Sequence, residues 1–166
     1  MYKSEIITMD TITILFEKGQ TFAEKAIIKL QETKAKELFA DVPCFSHCSI
    51  MIDSMVYQTH PAHGVMKSKF TEGGHPELRC MVETAVYNKD CLKAHLDFLV
   101  ENENKYYKWG VVAQLIYMLT WTWLGNKKPT KFYCSKLVAY ALGFKSYYKM
   151  DMLDIYLKLK SNENSL

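Results

Sequence analysis

The sequence has no run of basic residues, no apolar stretch of membrane length and no leader-like opening, and each absence removes a class of function. Twenty-one Lys and Arg stand against 18 Asp and Glu, a formal charge of +3. That is too mild and too dispersed to hold nucleic acid by charge, so no nucleic-acid partner is expected. The most apolar stretch, residues 109–124, is interrupted by Gln114, Thr120 and Thr122. It falls short of the ~20 residues a membrane span needs. It therefore reads as a buried helix, and no transmembrane segment is expected. Met1-Tyr2-Lys3-Ser4-Glu5 places an acid early, and no apolar run ends in a small-residue cleavage pattern. A cytoplasmic location is the expectation, and a phage-encoded protein acting in its host cell would meet it equally. No clean Cys-x-x-Cys pair and no internal repeat are present. The five cysteines are odd in number and scattered, which predicts free thiols in a reducing compartment.

Hydrophobic residues make up 49% of the 166 positions, enough for a sizeable core and for one domain spanning residues 1–166. Residues 12–16 (Ile-Thr-Ile-Leu-Phe) read as a first strand, ended by Glu17-Lys18-Gly19. Thr21 with Glu24 three residues on is a capping box. It opens a helix that carries Phe22, Ala23, Ala26, Ile27 and Leu30 at helical spacing and runs to about Phe39. A strand around His47, the turn Asp53-Ser54 and a return strand over residues 55–60 form a hairpin. Further strands are expected over residues 65–70 and 78–86. Asp90 is the expected cap of a helix bearing Leu92, Leu96 and Leu99, and an aromatic helix follows from about Tyr107. A short helix opens on Cys134 and ends at Gly143. The polar tail from Lys158 is expected to fray. Helices and strands mix, an α+β pattern.

The chemistry lies in a histidine and a cysteine far apart in sequence. Cys134 opens a helix, whose positive N-terminal end favours thiolate, so it is a candidate nucleophile. His47, on a strand, is a candidate base. Residues alternate faces along a strand, so His47, Ser49 and Met51 share one face and Cys48, Ile50 and Ile52 the other. On the return strand Val56, Gln58 and His60 share a face. Gln58, or alternatively His60, could accept from the imidazole and fix its tautomer. Cys44, His47, Cys48, His60 and His63 lie near one another in sequence, but their spacing and alternation argue against zinc, so neither metal nor cofactor is expected.

The order of these elements resembles the circularly permuted branch of the NlpC-type papain-like superfamily, which includes amidase-like proteins and the lecithin:retinol acyltransferase group. Ordinary papain-like enzymes run Cys first and His later; the permuted branch runs the other way. Phe45-Ser46-His47-Cys48-Ser49-Ile50 resembles the family's histidine strand. Val56-Tyr57-Gln58-Thr59 with His63-Gly64-Val65 resembles the strand of its orienting acid. Phe132-Tyr133-Cys134-Ser135-Lys136-Leu137-Val138 resembles its cysteine helix. The likeness spans roughly residues 12–143.

The resemblance implies a papain-like fold, a central antiparallel sheet packed against helices with the nucleophile at a helix N-terminus. It implies Cys134 as nucleophile, His47 as base and Gln58 where many relatives carry Glu. Cys48 replaces the family's usual glycine. The implied activity is a thiol hydrolase acting on a peptide, amide or lipid-ester substrate through a thioester, with Tyr133, Ser49 and Trp109 as candidate substrate contacts. An acyltransferase or a catalytically weak binding module of the same fold are the alternatives. The aromatic helix could instead be simple core, an acyl groove or an interaction surface. The sequence leaves the oligomeric state open.

Overall fold

Alternating side chains on the first strand decide which face of the sheet is covered. In a computed structural model, which describes residues 9–38, 41–60, 63–72, 76–102 and 132–163, strand β1 spans Asp10–Glu17. Ile12, Ile14 and Phe16 are buried on one face of it. Strands β2 (His47–Ile52), β3 (Met55–His60), β4 (Gly64–Lys69) and β5 (Arg79–Val86) complete an antiparallel sheet in the order β4-β3-β2-β1-β5. Among the described residues four α-helices accompany it: α1 (Phe22–Glu37), α2 (Lys89–Asn102), α3 (Cys134–Ala141) and α4 (Met152–Glu163). The α+β class and the antiparallel sheet are as the sequence predicts. No helix among the described residues is long and apolar enough to cross a membrane.

Asp53 and Ser54 both adopt left-handed backbone (φ 49° and 63°). That is the two-residue turn whose twist matches its flanking strands, and it fixes the β2–β3 register: Ile50 opposite Tyr57 and Ile52 opposite Met55. One continuous core then forms between the sheet and the helices. Cys48, Ile50 and Tyr57 from the sheet meet Leu96 and Leu99 of α2, Leu137 and Val138 of α3, and Ile155 and Leu159 of α4. Gly143 (φ 71°) ends α3 as predicted. Phe144 N–H donates to the Ala139 carbonyl at 3.0 Å and Gly143 N–H to Tyr140, a closure that favours glycine because a side chain resists positive φ.

Three expectations are corrected. The capping box at Thr21 forms, with Glu24 accepting from the Thr21 N–H and Thr21 from Glu24. The helix, however, does not bury the apolar stripe that its sequence displays. Phe22 is 91% exposed, whereas Gln31, Lys34 and Ala35 are buried. The Gln31 side chain donates to the Phe45 carbonyl (2.7 Å) and accepts from its N–H (3.3 Å). Lys34 reaches Asp151, just ahead of α4, and Asp154 in its first turn. Specific polar partners thus orient this helix, and hydrophobic periodicity is blind to them. Second, α2 starts one residue before Asp90, and Asn88 caps it by accepting from Cys91 N–H at 2.7 Å. Third, the chain past Lys158 is helical as far as Glu163, and Leu159 is buried. Asp151 and Asp154 cap α4 reciprocally, each carboxylate accepting from the other's N–H (2.8 and 3.1 Å). Its apolar residues Met152, Leu153, Ile155 and Tyr156 hold it against the core. The aromatic helix expected from Tyr107, and Trp109 with it, lies outside the described residues.

Candidate active site

His47 is the first residue of β2 and pairs with Glu17, the last residue of β1. The chain leading into it is fixed from below. Ser46 N–H donates to the Glu17 carbonyl at 3.0 Å, and the Ser46 hydroxyl accepts from Gly19 N–H at 2.7 Å. Gln58, in the middle of β3, presents Oε1 at 3.1 Å from His47 Nε2. An amide oxygen only accepts, so Nε2 carries the proton there. The other ring nitrogen, Nδ1, is left for Cys134, to which the imidazole is hydrogen-bonded.

Cys134 is the first residue of α3. Tyr133, the preceding cap residue, is extended and gives no side-chain bond to the helix end. The first intrahelical bond runs from Leu137 N–H to the Tyr133 carbonyl, so helix geometry leaves the N–H groups of Cys134 and Ser135 without an intrahelical acceptor. Two groups of β2 also reach the sulfur. The Cys48 side chain and backbone N–H both act on it to lower its pKa. Met152 Sδ lies 4.0 Å from Cys134 Sγ.

These contacts set the charge state. The Cys48 thiol hydrogen bond lowers the Cys134 pKa most. Burial opposes it, and the hydrogen bond and positive charge of His47 add to the lowering. The net result lies well below the ordinary thiol value. Burial alone would push His47 down, but the hydrogen bond and charge of Cys134, then Gln58 and Glu17, raise it to about 9. Each shift favours the charged form, a thiolate beside an imidazolium. Cys48, wholly buried and facing that thiolate, has its own pKa pushed well up.

The other predicted residues fall in different places. His60 is exposed and stacks on His63, with ring centroids 5.0 Å apart, so Gln58 rather than His60 holds the His47 ring. Tyr133 is buried, and its hydroxyl donates to the Tyr148 carbonyl at 2.7 Å. That bond ties the residue ahead of the nucleophile to the loop beyond α3. Ser49 is buried, and its hydroxyl has no hydrogen-bond partner among the described residues. It lines a cavity of about 140 Å³ with Gln58, Ser68, Glu17 and Arg79, the last two joined by an ion pair at 2.9 Å. A larger groove of about 520 Å³ lies at the other end of α3, beside Ala141, Phe144, Cys91 and Leu92. At 1.5 Å per residue it is about 10 Å along the helix from Cys134.

Two contributors were not legible as site residues. Glu17 reads only as a strand terminator, and Cys48 faces away from His47 by strand alternation. Glu17 reaches the site as the β1 partner of His47, and Cys48 because the start of α3 meets the first residues of β2; no sequence period encodes either placement.

No protein-family model, curated protein sequence or solved structure matches this chain.

Proposed function

We propose that the protein is a cysteine hydrolase of the amidase or peptidase type, built as a circularly permuted papain-like domain. One observation carries this reading: a helix-opening thiol, Cys134, is hydrogen-bonded to an imidazole, His47, whose far nitrogen is held by Gln58. A structural cysteine has no need of that three-part chain, whereas an activated nucleophile does.

In the proposed cycle the Cys134 thiolate attacks the substrate carbonyl. The Cys134 N–H at the helix start stabilises the oxyanion. The His47 imidazolium protonates the departing amine or alcohol as the tetrahedral adduct collapses to a thioester. His47, now neutral, takes a proton from water. The hydroxide displaces the acyl group as an acid, and thiolate and imidazolium return. The small cavity beside Gln58 mixes polar Glu17, Arg79, Ser49 and Ser68 with Leu15, Val56 and Phe70; its hydrogen-bonding groups and its size support an amide or peptide over a long alkyl chain. Transfer to a second nucleophile in place of water remains the alternative outcome of the same thioester.

Mixing the protein with activated peptide esters and reading intact mass tests the proposal. A covalent acyl adduct on Cys134, cleared over time, is the expected result. Failure of every ester to acylate Cys134 in protein that still binds peptide would instead support the binding module that an uncharged Gln58 permits.

Gln58 also makes a graded prediction. Gln58→Ala removes the acceptor that fixes the ring and is expected to lower kcat about tenfold, roughly 1.4 kcal/mol of barrier. Gln58→Glu supplies the charge that the amide lacks and stabilises imidazolium. The alkaline limb of its pH–rate profile should move above that of the native protein.

A further inference from the structure

The cavity beside Gln58 is walled by the neighbours of His47, and one of those walls carries a buried hydroxyl with nothing to bind. Glu17 is the cross-strand partner of His47 on β1. Gln58 holds the imidazole at 3.1 Å. Ser49 is the next residue of β2 on the same face. It stands about 7 Å along the strand from His47, a step that one or two substrate residues cover. Ser49 is 1% exposed, and its hydroxyl has no hydrogen-bond partner among the described residues. A buried hydroxyl left unpaired is destabilising, so this one points to a ligand that enters the cavity and bonds to it.

Size and charge choose the ligand. The cavity of about 140 Å³ has room for about four or five non-hydrogen atoms at ~30 Å³ each. Its two opposed charges, Glu17 and Arg79, neutralise each other at 2.9 Å, and Arg79 also lies over the Phe70 ring at 5.2 Å. Lys69 borders the cavity too, but it has the strand parity of Lys67, whose ammonium bonds Asp97 of α2. Alternation therefore turns its cation to the helix side of the sheet. A carboxylate in the cavity would meet Glu17, and an ammonium would meet Arg79, with no free counter-charge for either. We infer that the cavity is a specificity subsite for a short neutral carboxamide, the side chain of an asparagine or glutamine close to the scissile bond of a peptide substrate. A carboxamide carries both acceptor and donors. It satisfies the Ser49 hydroxyl and the Gln58 amide N–H together, while Leu15 and Val56 flank its methylenes. A ligand held on the Gln58 N–H group also keeps the amide turned with its oxygen toward His47.

The inference rests on the proposed hydrolysis for the placement near a scissile bond, but its test needs no turnover. Binding is measured on Cys134→Ala with alanine pentapeptides that differ only at the central residue. Asparagine, leucine and aspartate share nearly one shape, as do glutamine, homoleucine and glutamate. In at least one set the carboxamide peptide is expected to bind at least about tenfold tighter than its alkyl and acidic counterparts. Adding Ser49→Ala is expected to cut that advantage below about threefold. Ser68→Ala is the second variant should Ser49→Ala disturb the sheet, and an unchanged denaturation midpoint is the control for both. Equal binding within each set, a preference for the alkyl or acidic member, no binding of any peptide, or a preference that both variants leave intact would overturn the inference. Acylation of Cys134 in the native protein decides the hydrolysis separately. It can fail with the carboxamide preference intact, and it can succeed in a protein that has no such preference.

Discussion

Cys134→Ala is expected to abolish turnover of any substrate that the native protein cleaves, a loss of at least about 10³-fold, because the neighbouring thiol, Cys48, is wholly buried and cannot take over the attack. His47→Ala is expected to cost less, about 10²-fold to 10³-fold. In that variant the Cys48 thiol, the Cys48 N–H and the helix end still favour thiolate, but nothing protonates the leaving group. The inequality is the informative part. Were Cys134 an ordinary core thiol, neither change would alter chemistry. Alanine suits a helix start, so the folded state should survive Cys134→Ala, and an unchanged denaturation midpoint is the control.

The same ion pair fixes the pH profile. As pH rises through about 9 the imidazolium loses its proton, the thiolate loses its partner and the leaving group its acid. As pH falls, protonation of a thiolate held well below its ordinary value removes the nucleophile. Activity should therefore form a bell that spans neutral pH, with its alkaline limb near 9.

Lys34→Met is expected to be the most destabilising single change away from the site, by about 3–5 kcal/mol. Lys34 Nζ lies 2.7 Å from Asp151 Oδ2 and 2.6 Å from Asp154 Oδ1, with Lys34 and Asp151 almost fully buried. Burial and the charge of Asp154 both raise the Asp151 pKa, and Lys34 opposes them. Removing the cation strands two neighbouring carboxylates, one of them wholly out of water, and that uncompensated charge is what costs stability. The same aspartates cap α4 and hold it on the core, so the damage spreads from α1 to the C-terminal helix. For a chain of this length the loss corresponds to a Tm lowered by roughly 6–20 °C. Adding Asp151→Asn to Lys34→Met should recover part of it. Asparagine keeps the Oδ1 that accepts from Asp154 N–H and discards the charge. Urea midpoints of the single and double variants check this directly. Equal midpoints for native protein and Lys34→Met would show that the buried network contributes nothing net.

Lys34 also marks where sequence reading stops. Strands with alternating apolar residues, the Asp53-Ser54 hairpin, the Thr21–Glu24 box and the Gly143 stop were legible because each is a local rule satisfied within a few residues. His47, Gln58 and Cys134 were legible as a set because residue type and order carried the resemblance. The buried face of α1 was not, since Gln31 and Lys34 are paid in long-range bonds to Phe45 and Asp151. Helix α4 was missed because its polar residues masked the stripe of Met152, Ile155 and Leu159. Its cap uses aspartate at both ends, where the familiar box has Ser or Thr followed by Glu. Cys48 read as a packing substitution for glycine, and its contact with Cys134 exists only once α3 is laid across the start of β2.

The most direct test of the central claim is the rate of Cys134 alkylation as a function of pH in the folded protein, with His47→Ala measured beside it. A His-activated thiolate predicts fast labelling well below the ordinary thiol pKa of about 8.5, with the midpoint shifted upward in His47→Ala. Slow labelling that rises only near 8.5, identical in both proteins, would contradict it and leave the fold without the chemistry.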